Sequence, residues 1–163
     1  KEAAVAMDAT GNFVITWQSW SQDAVNSNGI YAQRYNSSGV AQGGEFKVNT
    51  YTTDDQSEPG IGMDSSGNFV IAWGSWGQDD SDEGIYAQRY DSSGVAQGSE
   101  FSVNTYSTGY QGLPVVAMDG NGFVVVWESS AQDGDLNGIY GQRYNSSGVA
   151  QGSEFRVNTT TAN

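Results

Sequence analysis

Two segments of the chain carry Ser-Trp-x-Gln-Asp, with Trp20 and Asp23 in one and Trp76 and Asp79 in the other. A Trp ring beside Asp and Asn groups suits a sugar, whose C–H face packs on the ring while its hydroxyls find acceptors. A third segment has Ser130 in place of the Trp but keeps Gln132 and Asp133. Trp20, Asp23, Trp76, Asp79 and Asp133 are therefore the candidate ligand-binding residues. The plainer reading is that Trp20 and Trp76 cap packing between structural units while Gln-Asp orders the loop. The runs Asp79-Asp80-Ser81-Asp82-Glu83 and Asp133-Gly134-Asp135 supply hard oxygen donors. That makes Asp79, Asp80, Asp82, Asp133 and Asp135 a candidate calcium set. Neither run has the Asp-x-Asp-x-Asp-Gly spacing of a dedicated calcium loop, and a solvated acidic face explains them too.

Catalysis by carboxylates needs a pair of acids, as in glycoside hydrolysis. Glu58, Glu128 and Asp135 interrupt an otherwise repeated sequence, but their spacing singles out no pair. No catalytic residue is assigned, and a non-enzymatic protein is expected. Other chemistries are excluded outright. The 163 residues include no Cys and no His, which removes thiolate metal sites, disulfides, Cys nucleophiles, Ser-His-Asp triads and imidazole-bound zinc. A formal charge of −13, from 6 basic and 19 acidic side chains, opposes a surface that tracks phosphates, so nucleic acid is not an expected partner. No apolar stretch approaches the roughly 20 residues of a membrane-spanning helix.

The elements that must position these residues come from an internal repeat. Gly29 to Thr50, Gly84 to Thr105 and Gly138 to Thr159 are three copies of one segment, and the second copy matches each of the others at 19 of 22 positions. Upstream, VAMDATGNFVITW (Val5 to Trp17) returns as IGMDSSGNFVIAW (Ile61 to Trp73) and as VAMDGNGFVVVW (Val116 to Trp127). The whole chain is three units of about 55 residues, divided as 1–56, 57–111 and 112–163.

Each unit reads as four short strands. The first is Val5–Met7 and its equivalents, followed by a tight Asp-x-x-Gly turn at Asp8, Asp64 and Asp119. The second is Phe13–Trp17, Phe69–Trp73 and Phe123–Trp127, and the third is Ile30–Tyr35, Ile85–Tyr90 and Ile139–Tyr144. Asn/Asp-Ser-Ser-Gly then makes a second hairpin before a fourth strand at Glu-Phe-x-Val. Arg34, Arg89 and Arg143 recur in the third strand, and Glu45, Glu100 and Glu154 at the fourth; structural ion pairs between the two sets are expected to fix register. Asn36, Asn145 and Asn158 begin Asn-x-Ser/Thr acceptors.

A four-stranded antiparallel meander at this period, apolar on both faces of its second strand, resembles the blades of β-propellers. The resemblance covers the whole chain and extends to repeats of bacterial secreted and cell-surface proteins. An open β-solenoid or a row of small sheets is the structural rival. The resemblance implies an all-β fold of three tandem blades, either half of a six-bladed ring or a segment of a longer array. Three blades leave two apolar end faces, and the ends join with nearly the internal blade-to-blade spacing, 13 steps against 15. A chain beginning at Lys1 suits a processed protein or a piece of a longer one. The expected function is accordingly structural self-assembly or surface adhesion outside the cell, packing head to tail as a dimer or filament through those faces. Lectin-like glycan binding through the Trp/Asp loops is the alternative. No cofactor is required, with calcium a candidate.

Overall fold

Period-two alternation of apolar residues between Asp/Asn-Gly turns folds each unit into a meander. The structure, a computed structural model, describes residues 2–22, 25–134 and 136–160. The first sheet holds β1 (Ala3–Met7), β2 (Phe13–Trp20), β3 (Asn28–Tyr35) and β4 (Phe46–Lys47). The second holds β5 (Gln56–Met63), β6 (Phe69–Trp76), β7 (Glu83–Tyr90) and β8 (Phe101–Ser102). The third holds β9 (Gln111–Asp119), β10 (Gly122–Ser130), β11 (Asn137–Asn145) and β12 (Phe155–Arg156). Strands pair antiparallel with their sequence neighbours in all three sheets, and no helix forms among the described residues.

The second and third strands run further than the sequence suggests, reaching Trp20, Trp76 and Ser130 on one side and Asn28, Glu83 and Asn137 on the other. A hydrogen bond across each loop base extends the ladder: Ser21 N to Ser27 O, Gly77 N to Asp82 O and Ala131 N to Leu136 O, each 2.7 Å. The fourth strands shrink to two residues each.

The blades stack through unlike faces. The small aliphatic face of the first sheet (Val14, Ile30, Ala32, Val48) packs on the aromatic face of the second (Phe69, Trp73, Tyr86, Tyr90). The second junction repeats this with Val70, Ala72, Ile85 and Val103 against Phe123, Trp127, Tyr140 and Tyr144. Both faces of β6 are consequently buried up to Ser75, whereas β2 and β10 alternate between buried and half-buried. The first strands β1, β5 and β9 lie side by side across the blades and form the inner edge. Glycine permits their close approach: a Cβ on Gly60 would lie 2.3 Å from Pro114 O, and one on Gly62 would lie 2.8 Å from Val116 Cγ1.

The structure corrects the expected Arg–Glu pairs. Arg34 donates to Ser92 O of the next blade (2.7 Å) and to Gln42 O (3.3 Å). Arg89 donates to Ser146 O (2.8 Å) and Gln97 O (3.0 Å). Glu100 accepts from Thr50 N of the preceding blade (2.6 Å) and from Gln78 (2.7 Å), and Glu154 accepts from Thr105 N (2.7 Å) and Gln132. Glu45 accepts from Gln22, and the Arg143 guanidinium has no hydrogen-bond partner among the described residues, while its backbone O accepts from Gln151 N (2.7 Å) and Gln142 (3.0 Å). Arg34, Arg89, Glu100 and Glu154 thus meet polar groups, mostly backbone, where the blades join, instead of the opposite charge. Among the described residues the ion pair is Arg156–Asp133, at 3.4 Å.

Candidate active site

The inner edge is delivered by a repeated amide network. Asn49 Oδ1 accepts from Ile30 N (2.7 Å), and its amide donates to Tyr51 O (2.8 Å) and buried Gln56 Oε1 (3.0 Å). Asn104 makes the same three contacts to Ile85, Tyr106 and Gln111. The blade-to-blade link is pinned in this way, so the residues after Gln56 and Gln111 enter the inner strand in fixed positions. There the ladder slips between Ser57 and Gly60, and Glu58 sits at φ 55° with its counterpart Leu113 at the same φ. A positive φ is unfavourable for either residue, and the bulge it forms aims the side chain out of the ladder.

Three carboxyls, Glu58, Glu83 and Glu128, gather at this edge. Glu58, half-buried, accepts from Leu113 N (2.7 Å) and from the Tyr110 hydroxyl (3.2 Å) across the second junction, while its own N–H donates to Gln18 Oε1 of the first blade (3.3 Å). Glu83, on β7, is 2% exposed and accepts from Ser57 Oγ (2.7 Å). Burial is the first cause that pushes its carboxyl from the ordinary 4.5 up to about 7; the negative charges of Glu58, Asp55 and Glu2 add to it, and the Ser57 hydrogen bond opposes it. Burial also raises the Tyr110 phenol, aided by the charges of Glu58, Glu83 and Glu128. Glu128, on β10, accepts from Asn137.

The blades differ pointedly here. At one position on the second strand stand Gln18, Gly74 and Glu128; at the diagonal position on the third, two residues from the ladder partner, stand Asn28, Glu83 and Asn137. The middle blade has replaced Asn by an acid and emptied the diagonal position beside it. A Cβ on Gly74 would lie 1.9 Å from Glu83 Oε1, so the missing side chain is the space that the carboxyl occupies. Glu83 escaped the sequence reading because it ends an acidic run; comparing the copies position by position shows the exchange.

The acids that interrupt the repeat, Glu58 and Glu128, belong to this edge, whereas Asp135 and Asp23 lie outside the described residues. Trp76 is the ladder partner of Glu83 and lines a cavity of about 420 Å³ with Asn26, Asp54, Asp55 and Asp82. Trp76 is 43% and Trp20 56% exposed, so neither is consumed by blade packing. Asp79 accepts from Ser81 N within its own loop (3.3 Å), and Asp133 faces Arg156. No group of three or more acids able to hold a metal occurs among the described residues, so Asp79, Asp80, Asp82 and Asp133 are not brought together as a calcium set.

No family model and no curated protein matches the chain. Solved structures do. A thermostable family-43 glycoside hydrolase aligns with a TM-score of 0.58 at 14% identity, over 99% of this chain and 58% of its own. The α-L-arabinofuranosidase of Lactobacillus brevis aligns at 0.57 and 9%, over 93% and 53%. The GH43 endo-arabinanase of Bacillus licheniformis aligns at 0.54 and 15%, over 96% and 58%. At these identities the likeness establishes the fold, that of β-propeller glycoside hydrolase domains, and the chain spans a little over half of their length. The expectation of a non-enzymatic assembly or adhesion module, or of a lectin without catalytic residues, is corrected by this finding: the matching folds are those of hydrolases. The clustering of carboxyls on the inner edge is also not what a purely structural repeat requires.

Proposed function

We propose that the chain is part of the propeller of a carbohydrate-degrading enzyme and that Glu83 and Glu58 act as an acid–base pair on a glycosidic bond. The observation that carries this is Glu83: a buried carboxyl with a pKa of about 7, placed by an exchange that occurs in the middle blade. An acid near neutrality holds a proton to give yet releases it readily. In this reading Glu83 protonates the leaving glycosidic oxygen as the C–O bond breaks. Glu58 takes a proton from the water whose oxygen replaces it on the sugar carbon. Tyr110 and Leu113 N hold the Glu58 carboxylate in place. Trp76, beside the pair, offers a face for the neighbouring sugar ring. The strong acidic balance favours neutral glycans over polyanionic ones, and the structural neighbours make arabinose-containing polysaccharides the first substrates to try. Polymers of that kind place the enzyme outside the cell.

The test is release of reducing ends from arabinan and other neutral plant polysaccharides by the wild-type chain, Glu83→Gln and Glu58→Gln. Each substitution is expected to lower turnover by at least about a hundredfold without weakening binding seen by Trp fluorescence. Equal turnover in all three chains would remove both residues from the mechanism.

A further inference from the structure

The middle and third blades each hold a carboxyl over the second strand, but they deliver it from different strands. In the third blade the acid is Glu128 of β10 itself. Its ladder partner on β9 is Gly112, and Asn137 of β11 donates to it. The equivalent positions in the middle blade are Ser57, Gly74 and Glu83. Ser57 is the ladder partner of Gly74, and Glu83 reaches from β7 across the gap over Gly74 to the Ser57 hydroxyl on β5, 2.7 Å away. Acid, gap and side-chain donor have changed strands together, and the donor now stands where the third blade has no side chain.

The two oxygens of Glu83 are unlike. Oε1 lies in the gap, where a Cβ on Gly74 would come within 1.9 Å of it, and it takes the Ser57 hydrogen bond. Oε2 has no hydrogen-bond partner among the described residues and is not sealed from solvent. Ser57 Oγ has one proton to donate, and Oε1 is the acceptor it reaches among the described residues. A carboxylic acid that accepts on one oxygen carries its own proton on the other. Facing the carboxyl are Glu58 and Asp55 from β5 and the link before it, Glu2 from the first blade and the Tyr110 phenol from the third.

We propose that Ser57 is the positioning residue of Glu83: its hydroxyl pins Oε1 in the gap over Gly74 and leaves the transferable proton on Oε2, the oxygen open to the site. When Glu83 acts as the acid, the Oε2–H bond breaks, its electron pair stays on the carboxylate and the proton passes to the leaving glycosidic oxygen. Oε1 keeps the Ser57 hydrogen bond throughout, and that bond strengthens as the charge forms. The catalytic use of this arrangement rests on the acid–base reading of Glu83; the placement of the proton does not.

Infrared difference spectra of the 163-residue chain between about pH 5 and 9, with those of Glu83→Gln subtracted, read the C=O bond of the protonated Glu83 carboxyl. Ser57→Ala should move that band to higher frequency, because a carbonyl oxygen that accepts a hydrogen bond has the weaker C=O bond. The same substitution should raise the Glu83 titration midpoint by about 0.5 unit or more, since a hydrogen bond to the charged form is lost. Ser57→Thr should restore both. Ser57→Gly, the residue that the third blade carries as Gly112, should behave like Ser57→Ala and provides a second folded chain, with Tm measured for each. On a cleaved polysaccharide, Ser57→Ala should lower kcat about tenfold at unchanged KM and move the alkaline limb of the pH profile upward with the midpoint. A wild-type chain that cleaves nothing would remove the hydrolase reading and leave the infrared and titration results to decide the role of Ser57. A band and a midpoint that stay in place in folded Ser57→Ala and Ser57→Gly, or a midpoint that falls, would overturn the proposal.

Discussion

Glu83→Gln should make the protein more stable at alkaline pH while removing its proposed chemistry. The sign follows from linkage. A carboxyl held at about 7 in the fold, against an ordinary 4.5, binds more protons folded than unfolded between those two values, so stability falls as pH rises through that window. Below pH 4.5 the carboxyl is neutral in both states and costs nothing. Above pH 7 it is charged in both, and the fold bears the full cost of a buried charge beside Glu58 and Asp55. At ~1.4 kcal/mol per pH unit, the difference is about 3 kcal/mol. Gln keeps the shape, can still hydrogen-bond Ser57 Oγ and carries no charge. Urea unfolding followed by Trp fluorescence should show the wild type losing about 3 kcal/mol relative to Glu83→Gln between pH 4 and 8, or about 6–12 °C in Tm for a chain of this size. Self-repulsion of the −13 charge also weakens the fold as pH rises, but it acts nearly equally on both proteins and cancels in the difference. Parallel stability curves would refute the reasoning, because they would mean that Glu83 titrates as it does in the unfolded chain.

Gly60→Ala should destabilise by at least about 2 kcal/mol, since its Cβ would lie 2.3 Å from a backbone oxygen of β9 and neither inner strand can give way without opening the junction; chemical denaturation measures it. Asp8, held at about 2 chiefly by the Asn12 side chain, with further hydrogen bonds from Thr10 and the Asn12 backbone, should titrate well below an ordinary Asp in an NMR pH series. Its contribution to stability is present above the unfolded value of 3.8 and disappears as pH falls toward 2.

The strands and their order could be read because the signals are local: alternation within five residues and Gly in each turn. What could not be read depends on partners distant in sequence. The ladders beyond Trp17 and Trp73 rest on bonds that close the loops, and Arg34 finds Ser92, 58 residues away, where matching charges by type pointed to a Glu. Burial of both faces in the middle sheet followed from apolar residues on both sides of strand two, and the structure has it. The inner edge was half legible. Glu58 and Glu128 stood out as acids without counterparts in every copy, but the placement of Glu58 depends on Tyr110 and Leu113 reaching across a junction. Nothing in linear spacing encodes that.

Glu83 and Gly74 make the same point as a testable pair. An acid in place of Asn28 or Asn137 would be unremarked surface variation if the diagonal neighbour on the second strand were still Gln or Glu. Here that diagonal neighbour is Gly74, and restoring even a Cβ puts it 1.9 Å from the carboxyl oxygen. The two positions are therefore expected to be strongly coupled. Gly74→Gln alone should expel Glu83 from its site, at a cost of about 1–3 kcal/mol in overpacking, and return its titration toward 4.5. Gly74→Gln with Glu83→Asn reproduces the first blade, whose Gln18 and Asn28 already fold, so the double variant should regain most of that stability and lose hydrolysis entirely. A double-mutant cycle by urea denaturation measures the coupling, expected at 1 kcal/mol or more on the ~0.5–3 kcal/mol scale of contacting residues. Additive effects would mean that Gly74 does not make room for the acid, and the assignment of Glu83 as a built rather than incidental carboxyl would fall with it.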